Sequence, residues 1–540
     1  MTGRVGRRRT GAVVVAAVLV AGTAAGQNTG LNVKHYDFIL VVAPGAPITG
    51  IALISLNRPG PGDSILALNL VGMKVDSVFG NDGRRRHSYD GSRLSIRLAQ
   101  SDTQVKFIYT GLPSDGLIEG RNAHGRLTAF GDNWPQRARN WLPTVDDPSD
   151  KASVTFSVST LRGWKVVANG ALAGDTVMPT YLAAQTHIVR WNEHHPIPTY
   201  TMVIGAGEFT VSTHRPVVHG RDTIPIQVWA YAEDSAFADS VPFKNATEIV
   251  EVMERLVGPF PYEKLAHVES STKFGGMENS SAIFYAERPY VERRMGEGVV
   301  RHETAHQWFG DAVTPRHFHH LWLSEGFASY FDLVVGAALH GDSVLTAGMR
   351  RDAESYFSSS VVDRPILDTT VTDYVTLLNA NNYPKGAWVL HMLRSYIGDS
   401  AFFRGIREYY RRYRDSTALS DDFRAVMEDA AGRDLEWFFR QWLRQPGYPQ
   451  LNVAWRPQGV GRVRLDVTQV QPAAWGRFRL PRLTVEFRAA DGRVARRVYS
   501  VEGNVSVLFA DLPFAPQQVT VDPDGALLLK TAVTDATRGP

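Results

Sequence analysis

Residues 301–310 read Arg301-His302-Glu303-Thr304-Ala305-His306-Gln307-Trp308-Phe309-Gly310, and the rest of the chain is best read outward from them. Apolar residues at helical spacing across Gly298–Gly310 predict a helix. On a helix, positions four apart differ by about 40° around the axis and about 6 Å along it. His302 and His306 therefore leave one face together, and each can present a ring nitrogen to a single ion. The chain contains no cysteine, so any metal would have to be held by His, Asp or Glu. Zinc takes nitrogen ligands at about 2.0–2.1 Å, and a reactive site needs three protein ligands plus an open position. Glu303, next to the first histidine, lies on the side where a water in that position would sit.

A third ligand has to come from another element. Pro315 and the polar stretch before Leu321 end the first helix, and a second is predicted over Trp322–His340, carrying Trp322-Leu323-Ser324-Glu325-Gly326-Phe327-Ala328. Eighteen residues separate His306 from Glu325, enough for a reversal and a returning helix to bring that carboxylate to the open side of the histidine pair. Upstream stands Gly275-Gly276-Met277-Glu278-Asn279, and downstream Tyr383-Pro384-Lys385-Gly386. His317, His319 and His320 fall in the connection between the two helices and are expected to pack or face solvent rather than bind metal. Asp332, seven residues beyond Glu325, is either an acceptor that orients a ligand histidine or a solvated side chain.

Together these stretches closely resemble the M1 (gluzincin) aminopeptidase family, whose pattern is H-E-x-x-H, eighteen residues, then E within W-L-x-E-G-F-A. The resemblance implies one zinc per chain, held by His302, His306 and Glu325, with Glu303 as general base. Gly275-Gly276-Met277-Glu278-Asn279 matches the family's G-x-M-E-N. It implies that Gly275, Gly276 and Met277 lie along the substrate backbone and that Glu278 binds a free α-amine. Tyr383 matches the tyrosine of Y-x-K-G and is implied to donate to the oxyanion. The block Arg139–Pro148 resembles, with lower specificity, the family's A-R-x-x-F-P-C-x-D-E-P. Members place a Gln or Glu five residues before that arginine to help hold the amine. Here the count falls on Trp134, so Asn133 or Asp132 is expected to make the second amine contact.

The resemblance covers about 36–448 and implies a multidomain α+β fold: an N-terminal antiparallel β domain, a thermolysin-like, mainly helical catalytic domain, and a C-terminal β-sandwich. The pattern stops after the sandwich, so a short form lacking the family's C-terminal helical domain is expected. The implied substrates are peptides with a free N-terminus. Two other hydrolase activities are known on this scaffold. Glu278 argues against an endopeptidase, and nothing specific supports an epoxide hydrolase. A catalytically silent binding module would be expected to lack a ligand or the base, and neither is missing.

The remaining sequence agrees with that division. Alternation at Tyr36, Phe38, Leu40 and Val42, and again at Leu94, Ile96 and Leu98, predicts strands over 27–211. Helical spacing dominates 212–449. Alternation returns at Leu451, Val453 and Trp455 and at Leu483, Val485 and Phe487, predicting a sandwich over 450–531 and a frayed tail over 532–540. Before all of this, Arg4, Arg7, Arg8 and Arg9 precede an apolar run from Ala12 to Val20 and small residues up to Gly26. That order predicts a secretory signal over 1–26, cleaved near Ala25 or Gly26, although a single membrane anchor shares its beginning. An exported protein with no stable membrane insertion after cleavage is therefore expected, periplasmic or extracellular. Formal net charge is +3, and four positive charges with no acid lie in 1–26, so the remainder is one unit negative. That balance gives no footprint for nucleic acid, and no oligomeric state is specified.

Overall fold

The computed structural model describes residues 31–57, 65–178, 186–219, 222–459 and 461–537. The expected signal over 1–26 lies outside them. Among the described residues no helix is long and apolar enough to cross a membrane.

The N-terminal region is built on a nine-stranded sheet. Its strand Asn32–Val41 buries alternate residues, as the sequence pattern requires. It pairs antiparallel with Ile48–Asn57 and parallel with Lys151–Thr160. Tyr36, Phe38, Phe156 and Trp141 form a stacked column with successive centroids 5.6, 5.7 and 6.5 Å apart. The turn at Asn81-Asp82 joins two three-residue strands, Val78–Gly80 and Gly83–Arg85, as a two-residue hairpin. A second sheet of four strands runs in the order 117–121, 127–131, 204–207, 165–168.

The catalytic region opens on a five-stranded sheet ordered 210–213, 226–230, 265–270, 282–286, 276–277. The three central strands are parallel, and the outer two run antiparallel to their neighbours. Strand Thr210–Thr213 spans the expected 211/212 boundary, because its pairing with Ile226–Ala230 commits both of its halves to this sheet. Helices Ala246–Leu256, Glu297–His306, Trp322–His340, Gly386–Ile397 and Asp399–Tyr413 follow the apolar periodicity of the sequence. Helices Ser343–Phe357, Ser420–Ala431 and Glu436–Arg444 also belong to the region, with two short ones at Ser235–Ser240 and Arg288–Val291. The first of these buries only Gly348, Met349 and Tyr356, too few to leave a clear periodic signal.

Two glycines set a close helix contact. A Cβ on Gly326 would lie 2.8 Å from the Gly386 Cα, and one on Gly386 would lie 2.9 Å from the Gly326 Cα. The Glu-Gly and Lys-Gly pairs thus let helix Trp322–His340 touch helix Gly386–Ile397 backbone to backbone.

The C-terminal region is a sandwich of a four-stranded and a three-stranded sheet. The expected tail at 532–540 is corrected here: Lys530–Asp535 is a strand, paired parallel with Gln450–Pro457 from Gln450↔Lys530 to Trp455↔Asp535. It covers what would otherwise be an open sheet edge. Only Val533 and Asp535 of its six residues are even half-buried, so main-chain pairing rather than side-chain burial holds it, and the sequence shows no alternation.

Candidate active site

Helix Glu297–His306 carries both histidines, and the returning helix Trp322–His340 carries Glu325 in its first turn. Arg301 bridges the two. Its guanidinium pairs with Glu297 on its own helix and donates to Asp332 Oδ1 at 2.7 Å on the other. Asp332 is thus engaged by an arginine rather than by a ligand histidine. The donor atoms meet as a nearly equilateral triangle: His302 Nε2 to His306 Nε2 3.2 Å, His306 Nε2 to Glu325 Oε2 3.3 Å, and His302 Nε2 to Glu325 Oε2 3.4 Å. A tetrahedron with bonds of about 2.0–2.1 Å has edges of about 3.3–3.4 Å. The triangle is therefore one face of such a tetrahedron, with the fourth corner toward the cleft. Glu325 Oε2 is buried and has no hydrogen-bond donor, so the donor set fits a zinc ion.

The supporting contacts fix these vectors. His306 Nδ1 lies 3.1 Å from the Phe309 carbonyl, which can only accept, so Nδ1 carries the proton and Nε2 is left free for the ion. Ser324 Oγ stands 3.0 Å from the same nitrogen. Gly310, at φ +126°, makes room for this arrangement: a Cβ there would lie 2.4 Å from Ser324 Oγ. Burial pushes the Glu325 carboxyl up, but the two imidazoles, His306 foremost, outweigh it and bring the group down to about 2.

Glu303 is buried against the edge strand Gly276–Met277, where a Cβ on Gly276 would stand 2.1 Å from Glu303 Oε1. That strand pairs on one side only, with Ala282–Ala286, so its outer edge is open. Glu278 follows it into the cleft. One carboxylate oxygen each of Glu278 and Glu303 and a ring nitrogen of His306 all lie within 4.8 Å of one another. Burial pushes the Glu278 carboxyl up to about 7, against the pull of His306 and with Glu325 and Glu303 adding to the rise. Three carboxylates crowded around two imidazoles make a pocket that favours cations.

Gln307 was not singled out in the sequence, yet it ties the two halves of the site together. Its Nε2 donates to the Glu278 carbonyl at 2.8 Å and to Asp311 Oδ2 at 2.9 Å, and its Oε1 accepts from the Ser281 amide at 2.7 Å. The available signal was its place directly after the second histidine, one step around the helix and so turned toward the strand.

Tyr383 belongs to a wide π-type turn, Asn381–Lys385, that leads into helix Gly386–Ile397. Its ring stacks on His302 with centroids 6.0 Å apart and planes 7° apart. Burial, with Glu325 adjacent, raises its hydroxyl far above the ordinary range, so it keeps its proton. The turn is anchored by Asn382 Nδ2 to the Leu377 carbonyl at 2.8 Å and by buried Lys385 Nζ to the Gln445 carbonyl at 3.1 Å.

These groups line a cavity of about 240 Å³ whose other wall is Trp134, Phe274 and Leu378, with Gly275, Gly276 and Met277 as the floor. Asn133 does not face this cavity, which corrects the expectation that it contacts the amine. Its amide is fully buried and spent at both ends, Nδ2 donating to the Met202 carbonyl and Oδ1 accepting from Trp141 Nε1, each at 2.7 Å. Asp132 is likewise engaged, with Arg137 and with the Lys273 amide at 3.1 Å. Trp134 itself enters the cleft, edge-on to Phe274 at 5.9 Å and to Phe318 at 5.8 Å. Of the connecting histidines, His317 is exposed, His319 Nε2 donates to the Val371 carbonyl at 2.8 Å, and His320 Nδ1 meets Ser420 Oγ at 2.8 Å.

Residues 242–442 match the peptidase family M1 domain. Probable aminopeptidase 2 of Sulfurisphaera tokodaii is 27% identical over 423 residues, 73% of this chain and 51% of that protein. The chain spans about half the length of the curated relatives it matches. The crystal structure of an M1 zinc metallopeptidase from Deinococcus radiodurans superposes with a TM-score of 0.67 at 27% identity, covering 78% of this chain and 95% of that one. Legionella pneumophila aminopeptidase A, in complex with aspartic acid, is only 16% identical, but shares the fold over 93% of this chain and 60% of its own with a TM-score of 0.78. Two ligand helices, an edge strand and a tyrosine turn are thus arranged around one donor triangle inside the region that matches the peptidase family M1 domain, and the chain is similar to an M1 zinc metallopeptidase in fold.

Proposed function

We propose that this protein is a zinc aminopeptidase that removes the first residue from peptides with a free N-terminus, using one zinc per chain held by His302, His306 and Glu325. The observation that carries this reading is the buried Glu278 carboxylate, set within 4.8 Å of the Glu303 and His306 donor atoms. An anionic group that close to the reacting centre receives a terminal ammonium by charge-assisted hydrogen bonding and leaves no length for residues before it.

When bound, zinc supplies a Lewis acid that polarises the scissile carbonyl and acidifies a water. Glu303 takes the proton from the attacking water and passes it to the departing nitrogen. The Tyr383 hydroxyl donates to the carbonyl oxygen as negative charge develops there. The open edge at Gly275–Met277 receives the peptide main chain as an added strand. Trp134, Phe274 and Leu378 surround the first side chain, which favours apolar residues. Export follows from the head of the sequence, and the N-terminal residue of protein recovered outside the cytoplasm tests it.

The test of the activity is hydrolysis of free-amine aminoacyl chromogenic substrates beside their N-acetylated counterparts, with and without a zinc chelator. Chelator-sensitive cleavage of the free-amine set alone is expected. Cleavage of the blocked set would remove Glu278 from amine recognition and point to an endopeptidase. Silence throughout would leave a binding module.

A further inference from the structure

A second cluster of metal-binding side chains shares no residue with the first. Asp234 lies just past strand Ile226–Ala230, Glu269 near the end of Leu265–Ser270, and Glu287 just past Ala282–Ala286. These are the three parallel strands of the five-stranded sheet, so the three carboxylates gather at their carboxyl ends, where open α/β sheets place their ligands. His124 reaches them from the turn between strands Leu117–Arg121 and Leu127–Gly131 of the N-terminal region. Asn122 Oδ1 holds that turn, accepting from the His124 and Arg126 amides at 3.0 and 2.9 Å.

We propose that His124, Asp234 and Glu269 bind a second divalent cation of the zinc class, with Glu287 at its rim. One donor atom from each of the three residues lies within 4.8 Å of the others. Each carboxylate is oriented through one oxygen. Asp234 Oδ1 accepts from Arg293 at 2.7 Å, and its Oδ2 is hydrogen-bonded to His124 Nε2 at 2.6 Å, a contact that an ion would replace by drawing the two atoms apart. Glu269 Oε2 accepts from the Tyr231 amide at 2.9 Å, while its Oε1 is buried with no hydrogen-bond partner on a residue that is 0% exposed. Fixing one oxygen and presenting the other is how carboxylate ligands are commonly held.

Charge points the same way. Asp234 pairs with the Arg293 guanidinium at 2.7 Å, while Glu269 Oε1 and Glu287 Oε2 are buried without a hydrogen-bond partner, an excess of acidic acceptors that a divalent cation would satisfy. The mixed imidazole and carboxylate set suits zinc or manganese better than calcium. The His124 side chain is 19% exposed against 1% for Asp234, which gives an entry route and open positions for water. An ion here would pin the N-terminal turn to the catalytic sheet.

Zinc content and melting temperature of the full-length protein test this. Wild type should retain two equivalents of Zn2+ after dialysis, His306→Ala one, and His306→Ala combined with Glu269→Gln none. Adding Zn2+ should raise the melting temperature of His306→Ala and leave the combined variant unmoved. If Glu269→Gln fails to fold, His124→Ala on the partly exposed turn carries the same comparison. A single equivalent in wild type, or Zn2+ uptake unchanged in the combined variant, would overturn the proposal and leave Glu269 as a protonated acid hydrogen-bonded to Asp234. Because the decisive arms lack the His302–His306–Glu325 site, the outcome is independent of the aminopeptidase reading.

Discussion

The two walls of the cleft are built by different rules. The polar wall comes from helices locked to one another: Arg301 bridges helices Glu297–His306 and Trp322–His340, and Gly326 meets Gly386 backbone to backbone. The apolar wall is gathered from three separate places. Trp134 follows the second N-terminal sheet, Phe274 precedes the edge strand, and Leu378 precedes the Tyr383 turn. Moving protons and holding an ion require fixed vectors, and helices provide them. Receiving an apolar side chain requires only area and shape, which any segment can contribute. Substitutions on the polar wall should therefore cost far more than those opposite, and affect every substrate alike.

The largest expected effect is at Glu303. Glu303→Gln keeps shape and volume but removes the proposed base, so kcat should fall by about 10²–10⁴ while zinc content stays unchanged. Equal activity in the variant would assign the proton transfer to another group. Next is Gly276→Ala, on the floor between the walls. Its new Cβ would meet Glu303 Oε1 at 2.1 Å, and because displacement of a catalytic group by about 1 Å can cost 10²-fold, kcat should drop by about that factor across the whole substrate panel. A change confined to bulky substrates would place the defect in the apolar wall instead. Glu278→Gln comes third. A hydrogen bond to a charged group contributes about 1.5–3 kcal/mol, so kcat/KM on free-amine substrates should fall roughly 10- to 150-fold. The preference over N-acetylated substrates should shrink with it; an unchanged preference would show that something else holds the amine.

The same contrast explains what could be read from the sequence. His302, Glu303 and His306 are neighbours on one helix and Glu325 opens the next, so a short pattern with one gap captured the donor triangle. Tyr383 and Glu278 were singled out because each falls in a short motif that includes a glycine, and the structure gives each glycine a close neighbour, Gly386 against the Gly326 backbone and Gly276 against the Glu303 side chain. Gln307 was passed over because its partners, Ser281 and the Glu278 carbonyl, are set by the fold rather than by spacing. Asn133 was misplaced because nearness to Trp134 in sequence does not say which way a side chain turns. Its amide points inward to Trp141 and Met202. Strand Lys530–Asp535 was read as a tail because it joins the sandwich through main-chain bonds and buries too little to leave an alternating trace.

The smallest effect is also the one that separates the walls. Trp134 touches neither the donor triangle nor the base by any hydrogen bond, and packs edge-on against Phe274 and Phe318. If its role is to receive the first side chain, Trp134→Ala should remove roughly 50–60 Å² of apolar contact, about 1.4 kcal/mol and so about tenfold in kcat/KM, for substrates beginning with Phe. For substrates beginning with Ala, which is too short to reach the indole, little should change. The ratio of the two rates is the informative quantity, because a tryptophan that merely supports Phe274 and Phe318 would lower both rates together and leave the ratio intact. A collapsed ratio with an unaltered rate on the Ala substrate would show that selectivity and catalysis are carried by opposite walls and can be changed independently.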